Sequence, residues 1–236
     1  VHGKNISDLE PEFSHPGIEI NQVHRLSNPN YLFIDLFLSE EAIPGEFEII
    51  FNKEGQPKTK YNYKLLKREP DSADRQGFSP ADVIYLITPD RYANGDPGND
   101  SSSQLKEKQN RLKKGGRHGG DIQGIIDHLD YISDMGFTQI WLNPVLENDQ
   151  HTYSYHGYST TDYYNIDARF GNNELYKVLS KEGKKRGIGL VMDLILNHIG
   201  SEHWWMKDLP TIDWINNDGK FVRSNHIHES VHDPHL

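Results

Sequence analysis

Apolar residues fall into short runs along the chain, and the period of those runs changes once. From Gly17 to about Leu66 they are brief and strand-like: Ile18-Glu19-Ile20, then Tyr31 to Leu38, then Glu46 to Phe51. After a turn-rich bridge from Asn52 to Pro57, Tyr61-Asn62-Tyr63-Lys64-Leu65 alternates apolar and polar residues at period two. These segments predict part of an Ig-like β-sandwich, with fewer strands than the roughly seven such a domain usually has. The polar run from Glu69 to Gly77 reads as a linker. The expected organisation is therefore an N-terminal β-module over residues 1–70 and a second domain over residues 71–236.

Beyond the linker the pattern is that of β/α units. Val83-Ile84-Tyr85-Leu86-Ile87 is a continuous apolar run, expected of a strand buried on both faces. Ile125, Ile126, Leu129, Ile132 and Met135 mark one face of a helix that Gly136 ends. Gln139 to Asn143 predicts a second strand, Glu174 to Arg186 a second helix, and Ile188 to Asp193 a third strand. Alternating strands and helices with right-handed crossovers imply a parallel sheet, either doubly wound or part of a (β/α)8 TIM barrel. The loops after the first two strands are far longer than the usual ~2–6 residues. Both leave the C-terminal ends of strands, where barrel enzymes build their sites, so the pattern favours the barrel. Three strands cannot close one, and a full barrel takes about 250 residues. Such a barrel is expected to be only begun here, with the chain entering the loop after its third strand.

Composition narrows the partners more than the fold. The 236 residues include 25 Lys and Arg against 35 Asp and Glu, a net charge of −10. That is the wrong sign for holding nucleic acid by bulk charge, which leaves a neutral substrate or a cation as the expected partner. No apolar stretch approaches the roughly 18–20 residues that span a bilayer, so no membrane partner is expected. Cysteine is absent, which excludes disulfides, thiolate nucleophiles and Cys-based zinc sites. The chain starts Val-His-Gly-Lys-Asn, without Met or a signal-peptide pattern, and is expected to be processed or cut there. The basic run from Lys106 to His118 reads as a solvated loop, and His226, His228, His232 and His235 read as a loop rather than a zinc site.

Three clusters carry candidate chemistry. Asn94, Asp96, Asn99 and Asp100 crowd oxygen-bearing side chains into a Gly/Pro-bent loop, and hard cations such as calcium take about 6–8 oxygen ligands. A run of metal-free Asx-turns fits the same residues. Gly119-Gly120-Asp121 adds a carbonyl and a carboxylate, with Asp121 equally suited to cap the next helix. Tyr153 to Tyr164 crowds aromatic rings and hydrogen-bonding groups into the loop after the second strand, suited to the faces and hydroxyls of a sugar or to packing within the loop. The third strand runs into Asp193, Asn197 and His198, which in a barrel face the mouth of the pocket.

The segments Ile84 to Asp96, Gly119 to Ile125, Tyr155-His156-Gly157-Tyr158 and Asp193 to His198 occur in the order found in the α-amylase superfamily, glycoside hydrolase family 13. The chain most resembles that superfamily's cyclomaltodextrinase and neopullulanase branch, and the preceding β-module resembles the branch's N-terminal module. The resemblance implies a (β/α)8 barrel acting with retention on α-1,4-glucans: cyclodextrins, pullulan or maltooligosaccharides. It implies that His156 and His198 hydrogen-bond the glucose at the cleavage subsite, that Tyr158 stacks beneath it, and that Asp193 is a structural partner, with Asn197 in the same motif. It also implies a calcium ion at Asn94, Asp96, Asn99, Asp100, Gly119 and Asp121.

Retaining hydrolysis needs two carboxyl groups about 5–5.5 Å apart. The superfamily carries its nucleophile, acid/base and a further Asp in segments after the fourth, fifth and seventh strands, and none of those segments is present here. The expectation is the N-terminal part of such a hydrolase, with no catalytic residue in this chain and no activity of its own. Two rivals stand beside it: a non-catalytic carbohydrate-binding or accessory protein, and an unrelated α/β cation-binding module that uses only the first cluster. Homo-oligomerisation stays open, and a calcium site with no initiator Met leans towards the periplasm or exterior.

Overall fold

Short strands build two antiparallel sheets at the start of the chain. The computed structural model describes residues 1–55, 58–75, 77–220 and 222. Among these, the residues within 1–75 and 207–222 form one compact unit and residues 77–206 a second.

The first unit contains strands β1 (Glu10–Glu12), β2 (Ile18–Arg25), β3 (Leu32–Leu38), β4 (Gly45–Asn52) and β5 (Thr59–Leu65). β4 pairs with both β1 and β5, while β2 and β3 form a separate hairpin with a bulge near Ile20. Leu32 from β3 meets Ile49 and Phe51 from β4, and Ile6 and Leu9 join them, so the two sheets share one apolar core. This two-layer packing agrees with a β-sandwich module. β1 escapes the pattern because it is three residues long with Pro11 at its centre, which a strand tolerates only at an edge. The segment beginning at Lys207 returns to this unit. Asp208 there pairs with His2 at 2.8 Å and accepts from Asn30 Nδ2 at 3.0 Å, and its carbonyl accepts from the Tyr31 hydroxyl.

The second unit is built on β6 (Ile84–Ile87), β7 (Gln139–Leu142), β8 (Leu146–Glu147), β9 (Asp162–Ile166) and β10 (Gly189–Met192), with helices α1 (Ile122–Asp127), α2 (Leu129–Asp134) and α3 (Asn173–Lys185). β6, β7 and β10 form a parallel sheet with β7 in the centre, paired Ile84 to Gln139 and Gly189 to Gln139. Ile87, Ile140 and Leu142 bury one face of this sheet against Ile122, Ile125, Leu129, Ile132 and Leu179 of the helices.

Two sequence expectations need correction. The strand read as buried on both faces is covered on one: Ile84 is 37% exposed, Leu86 54%, and Trp141 beside Leu86 39%. The helices take the other face, and among the described residues of the second unit no element covers this one. The single helix expected up to Met135 is two, divided at His128, whose backbone leaves the helical region at φ −112 and whose Nδ1 bonds Gly124 O at 2.7 Å. Gly136 does adopt the left-handed conformation expected after the last turn, at φ +85. Within the long loop after β7, β8 and β9 form an antiparallel hairpin. No helix among the described residues is long and apolar enough to cross a membrane. His226, His228, His232 and His235 lie outside the described residues.

Candidate active site

The C-terminal ends of β7 and β10 meet the Tyr-rich loop. Asp193 directly follows β10, and its Oδ2 accepts from Tyr158 Oη at 3.0 Å and from Trp141 Nε1 at 3.2 Å. Burial first, and then the bond to Asp193, pushes the Tyr158 phenol up to about 12, so it stays a protonated donor. Tyr158 can stand there because Gly157 turns the chain at φ +83, close beneath Pro144; a Cβ at 157 would lie 1.9 Å from Pro144 O. His156 ends the preceding turn. Its Nδ1 accepts from Tyr158 N at 2.9 Å, which places the hydrogen of the neutral ring on Nε2.

His198 joins the same group. Its Nε2 donates to Tyr158 O at 2.9 Å, and Asn197 Nδ2 donates to its Nδ1 at 3.2 Å. His156, Tyr158, Asp193, Asn197 and His198, singled out in two stretches of sequence, thus form one connected cluster. Arg91 lies over the Tyr155 ring at 3.9 Å, and that ring meets the His156 ring edge-on at 5.4 Å.

The oxygen-rich loop after β6 also gathers at one place. Asp121 caps α1, accepting from Gly124 N at 2.6 Å, and further accepts from Gly95 N at 3.1 Å and Asp96 N at 2.8 Å. Asp96 Oδ1 accepts from Gly98 N at 2.9 Å in an Asx-turn, and Asn94 Nδ2 donates to Asp100 Oδ1 at 2.6 Å. Gly119 sits at φ +91 with its Cα against Asp100; a Cβ there would lie 2.4 Å from Asp100 Oδ1. The helix cap is therefore realised at Asp121 and an Asx-turn at Asp96. Among the described residues no group of three or more His, Asp or Glu side chains is arranged to hold a metal ion. The amide oxygens of Asn94 and Asn99 are nevertheless buried without a hydrogen-bond partner. Such orphaned acceptors cost about 1–3 kcal/mol each, and they are the donor type a hard cation takes.

Sequence reasoning missed the ionic network beneath these loops. Asp167 is fully buried and pairs with Arg169 through Nη2 at 2.7 Å and Nε at 2.9 Å. Arg169 also donates to the carbonyls of Glu107 and Asn148, both at 2.8 Å, tying the two long loops together. Arg117, 1% exposed, lies between Asp90 and Asp167 at 3.9 Å from each, with its guanidinium carbon 4.5 Å from the centre of the Phe170 ring. The available signal was two charged residues, Asp167 and Arg169, set between Ile166 and Phe170.

A parallel β/α sheet with its polar and aromatic side chains gathered at the C-terminal strand ends defines an α/β protein whose chemistry lies in its loops. The chain belongs to the alpha-amylase family: the family model "Alpha amylase, catalytic domain" matches residues 86–224, and "Cyclomaltodextrinase, N-terminal" matches residues 1–69. It is 41% identical over 140 residues to a beta/alpha-amylase of Paenibacillus polymyxa, covering 58% of this chain and 12% of that protein. It is 36% identical over 128 residues to neopullulanase 2 of Thermoactinomyces vulgaris, covering 54% of this chain and 21% of that one. It is 39% identical over 127 residues to a cyclomaltodextrinase of Geobacillus thermopakistaniensis, again covering 54% and 21%. The chain thus spans about a fifth or less of the length of these relatives. The family and these relatives are glycoside hydrolases.

Proposed function

We propose that this chain forms the N-terminal β-module and the first β/α units of a (β/α)8 catalytic domain in a retaining α-glucan hydrolase of the cyclomaltodextrinase or neopullulanase type. The observation that carries the reading is the connected cluster of His156, Tyr158, Asp193 and His198 at the ends of β7 and β10. The Nε2–H of His156 donates to a hydroxyl of the glucosyl unit being cleaved, and the Tyr158 ring supplies a face for its apolar side. His198 donates to a second hydroxyl, which takes over from the Tyr158 carbonyl as acceptor. Asp193 orients the Tyr158 phenol and touches no reacting atom. These contacts strengthen as the sugar ring flattens toward its oxocarbenium-like transition state, while the two carboxyl groups that break the bond come from outside this chain.

The test is release of reducing ends from a cyclodextrin, pullulan and maltoheptaose by the natural protein, with the anomer of the first product read by NMR. Retention gives the α-anomer. His156→Ala and His198→Ala are each expected to lower kcat on the order of 10²-fold, as for other donors aimed at a transition state. Tyr158→Phe should be mild, because the ring survives and Trp141 still donates to Asp193; Tyr158→Ala should be severe. Glucan binding without hydrolysis would favour the accessory-protein reading instead.

The same reading includes one calcium ion, held by the side chains of Asn94, Asp96, Asn99, Asp100 and Asp121 and the carbonyl of Gly119. The orphaned oxygens of Asn94 and Asn99 support it. The ion would supply structure rather than chemistry, tying the loop after β6 to the start of α1. A ligand that binds only the folded state stabilises it by mass action, so chelation should lower the melting temperature and calcium restore it. Asp96→Ala should abolish that difference. A melt unchanged by chelation would count against the ion.

A further inference from the structure

The loop after β10 has little apolar anchorage. From Asp193 to Gly200 it has no regular secondary structure, and Leu194 and Leu196 are 47% and 80% exposed. Polar contacts hold it instead. Gly200 N donates to Thr160 O at 2.9 Å, and a Cβ at 200 would lie 2.4 Å from Ser159 O. A further anchor, beside the contacts of Asp193 and His198 to Tyr158, is Tyr163, whose hydroxyl donates its one hydrogen between Ile195 O at 2.7 Å and His198 O at 3.1 Å. A single phenol thereby fixes the backbone on both sides of Asn197.

Tyr163 is itself firmly placed. It lies in β9, which pairs with β8, and its ring packs against the core of the second unit. It stacks on Trp205 at 6.0 Å and tilts against His203 at 5.9 Å. Burial raises its pKa, so the hydroxyl keeps the proton it donates.

We propose that Tyr163 is a positioning residue: its hydroxyl sets the backbone that aims His198 and Asn197, so that the long loop after β7, which carries β9, and the loop after β10 act as one unit. It touches no substrate and acts through His198, so the kinetic part of the proposal rests on the role given to that residue above.

The experiment compares Tyr163→Phe with the parent in the natural enzyme by two readouts, one of them independent of activity. Phe keeps the ring packing and removes only the donor. Amide hydrogen exchange at Gly200 should quicken roughly tenfold, because the loop loses the phenol that holds its backbone on both sides of Asn197. The variant's kcat should fall roughly tenfold while KM changes less than about twofold. In a His198→Ala background the same substitution should leave kcat unchanged, since the group it positions is gone. Unchanged exchange at Gly200 would overturn the proposal, as would an equal fall in kcat in both backgrounds. If His198→Ala by itself left kcat intact, the reading of the sugar site would fail, and exchange at Gly200 would still decide whether Tyr163 positions the loop.

Discussion

Asp167 has no exposed side-chain surface, yet it remains a carboxylate. Burial alone would raise its pKa; Arg117, and then Arg169, hold it below the usual carboxylate range. A group whose folded pKa is depressed stabilises the fold above its unfolded value, about 3.9, and loses that contribution as pH falls through the folded value. Asp167→Asn leaves two buried guanidinium groups short of their counter-charge. It should cost about 3–5 kcal/mol in denaturant unfolding at neutral pH and flatten the acid limb of the stability profile. Tyr158 shows the opposite sign. It and Tyr176 are both raised to about 12, chiefly by burial. Their neutral forms stabilise the fold below the unfolded value of about 10, and the contribution is lost as pH rises toward 12. Tyr158 and Tyr176 should ionise late in an ultraviolet titration, and Tyr158→Phe should remove one late step. Early titration of every tyrosine while the fold is intact would contradict that placement.

At the scale of elements, α1 is only six residues long and depends on its start. Asp121 accepts three backbone hydrogen bonds, from Gly124 inside the helix and from Gly95 and Asp96 in the loop after β6. Loss of an N-cap costs about 0.5–2 kcal/mol, and each further bond about 0.5–1.5 kcal/mol. Asp121→Ala should therefore destabilise by about 2–4 kcal/mol in urea unfolding, with Asp121→Asn intermediate because one acceptor oxygen survives. Equal effects of Ala and Asn would mean that the charge, and not the acceptor geometry, matters. The hairpin of β8 and β9 plays a comparable part on the other loop, since it presents Tyr163 from paired strands rather than from an unpaired coil.

For the molecule as a whole, the parallel sheet has β6 and β10 as its outer strands and Ile84, Leu86 and Trp141 on its uncovered face. Residues 71–236 expressed alone should aggregate or settle into a loosely packed state, because an exposed sheet edge and an apolar face invite non-native pairing. Removing residues 1–70 also takes His2, Asn28 and Asn30 away from Asp208. Near-ultraviolet circular dichroism during thermal unfolding checks this: a sharp cooperative melt of a soluble monomer would defeat it.

The sequence alone determined the strands and helices whose apolar residues repeat at a local period: β6, β7, β10, α3 and the longer strands of the first unit. Their secondary structure is signalled within a window of a few residues. It also marked His156, Tyr158, Asp193 and His198, since motif order along a chain needs no coordinates. Tertiary structure alone decided which face of β6 is covered, where the helix before Gly136 divides, and which groups meet. Tyr163 reaches His198, Arg117 lies between Asp90 and Asp167, and Asp208 meets His2 only because the fold brings distant segments together. A polar side chain in such a position has no local period to report. Its partner is chosen by where the backbone passes, and burying it unpaired would cost more than the pairing returns.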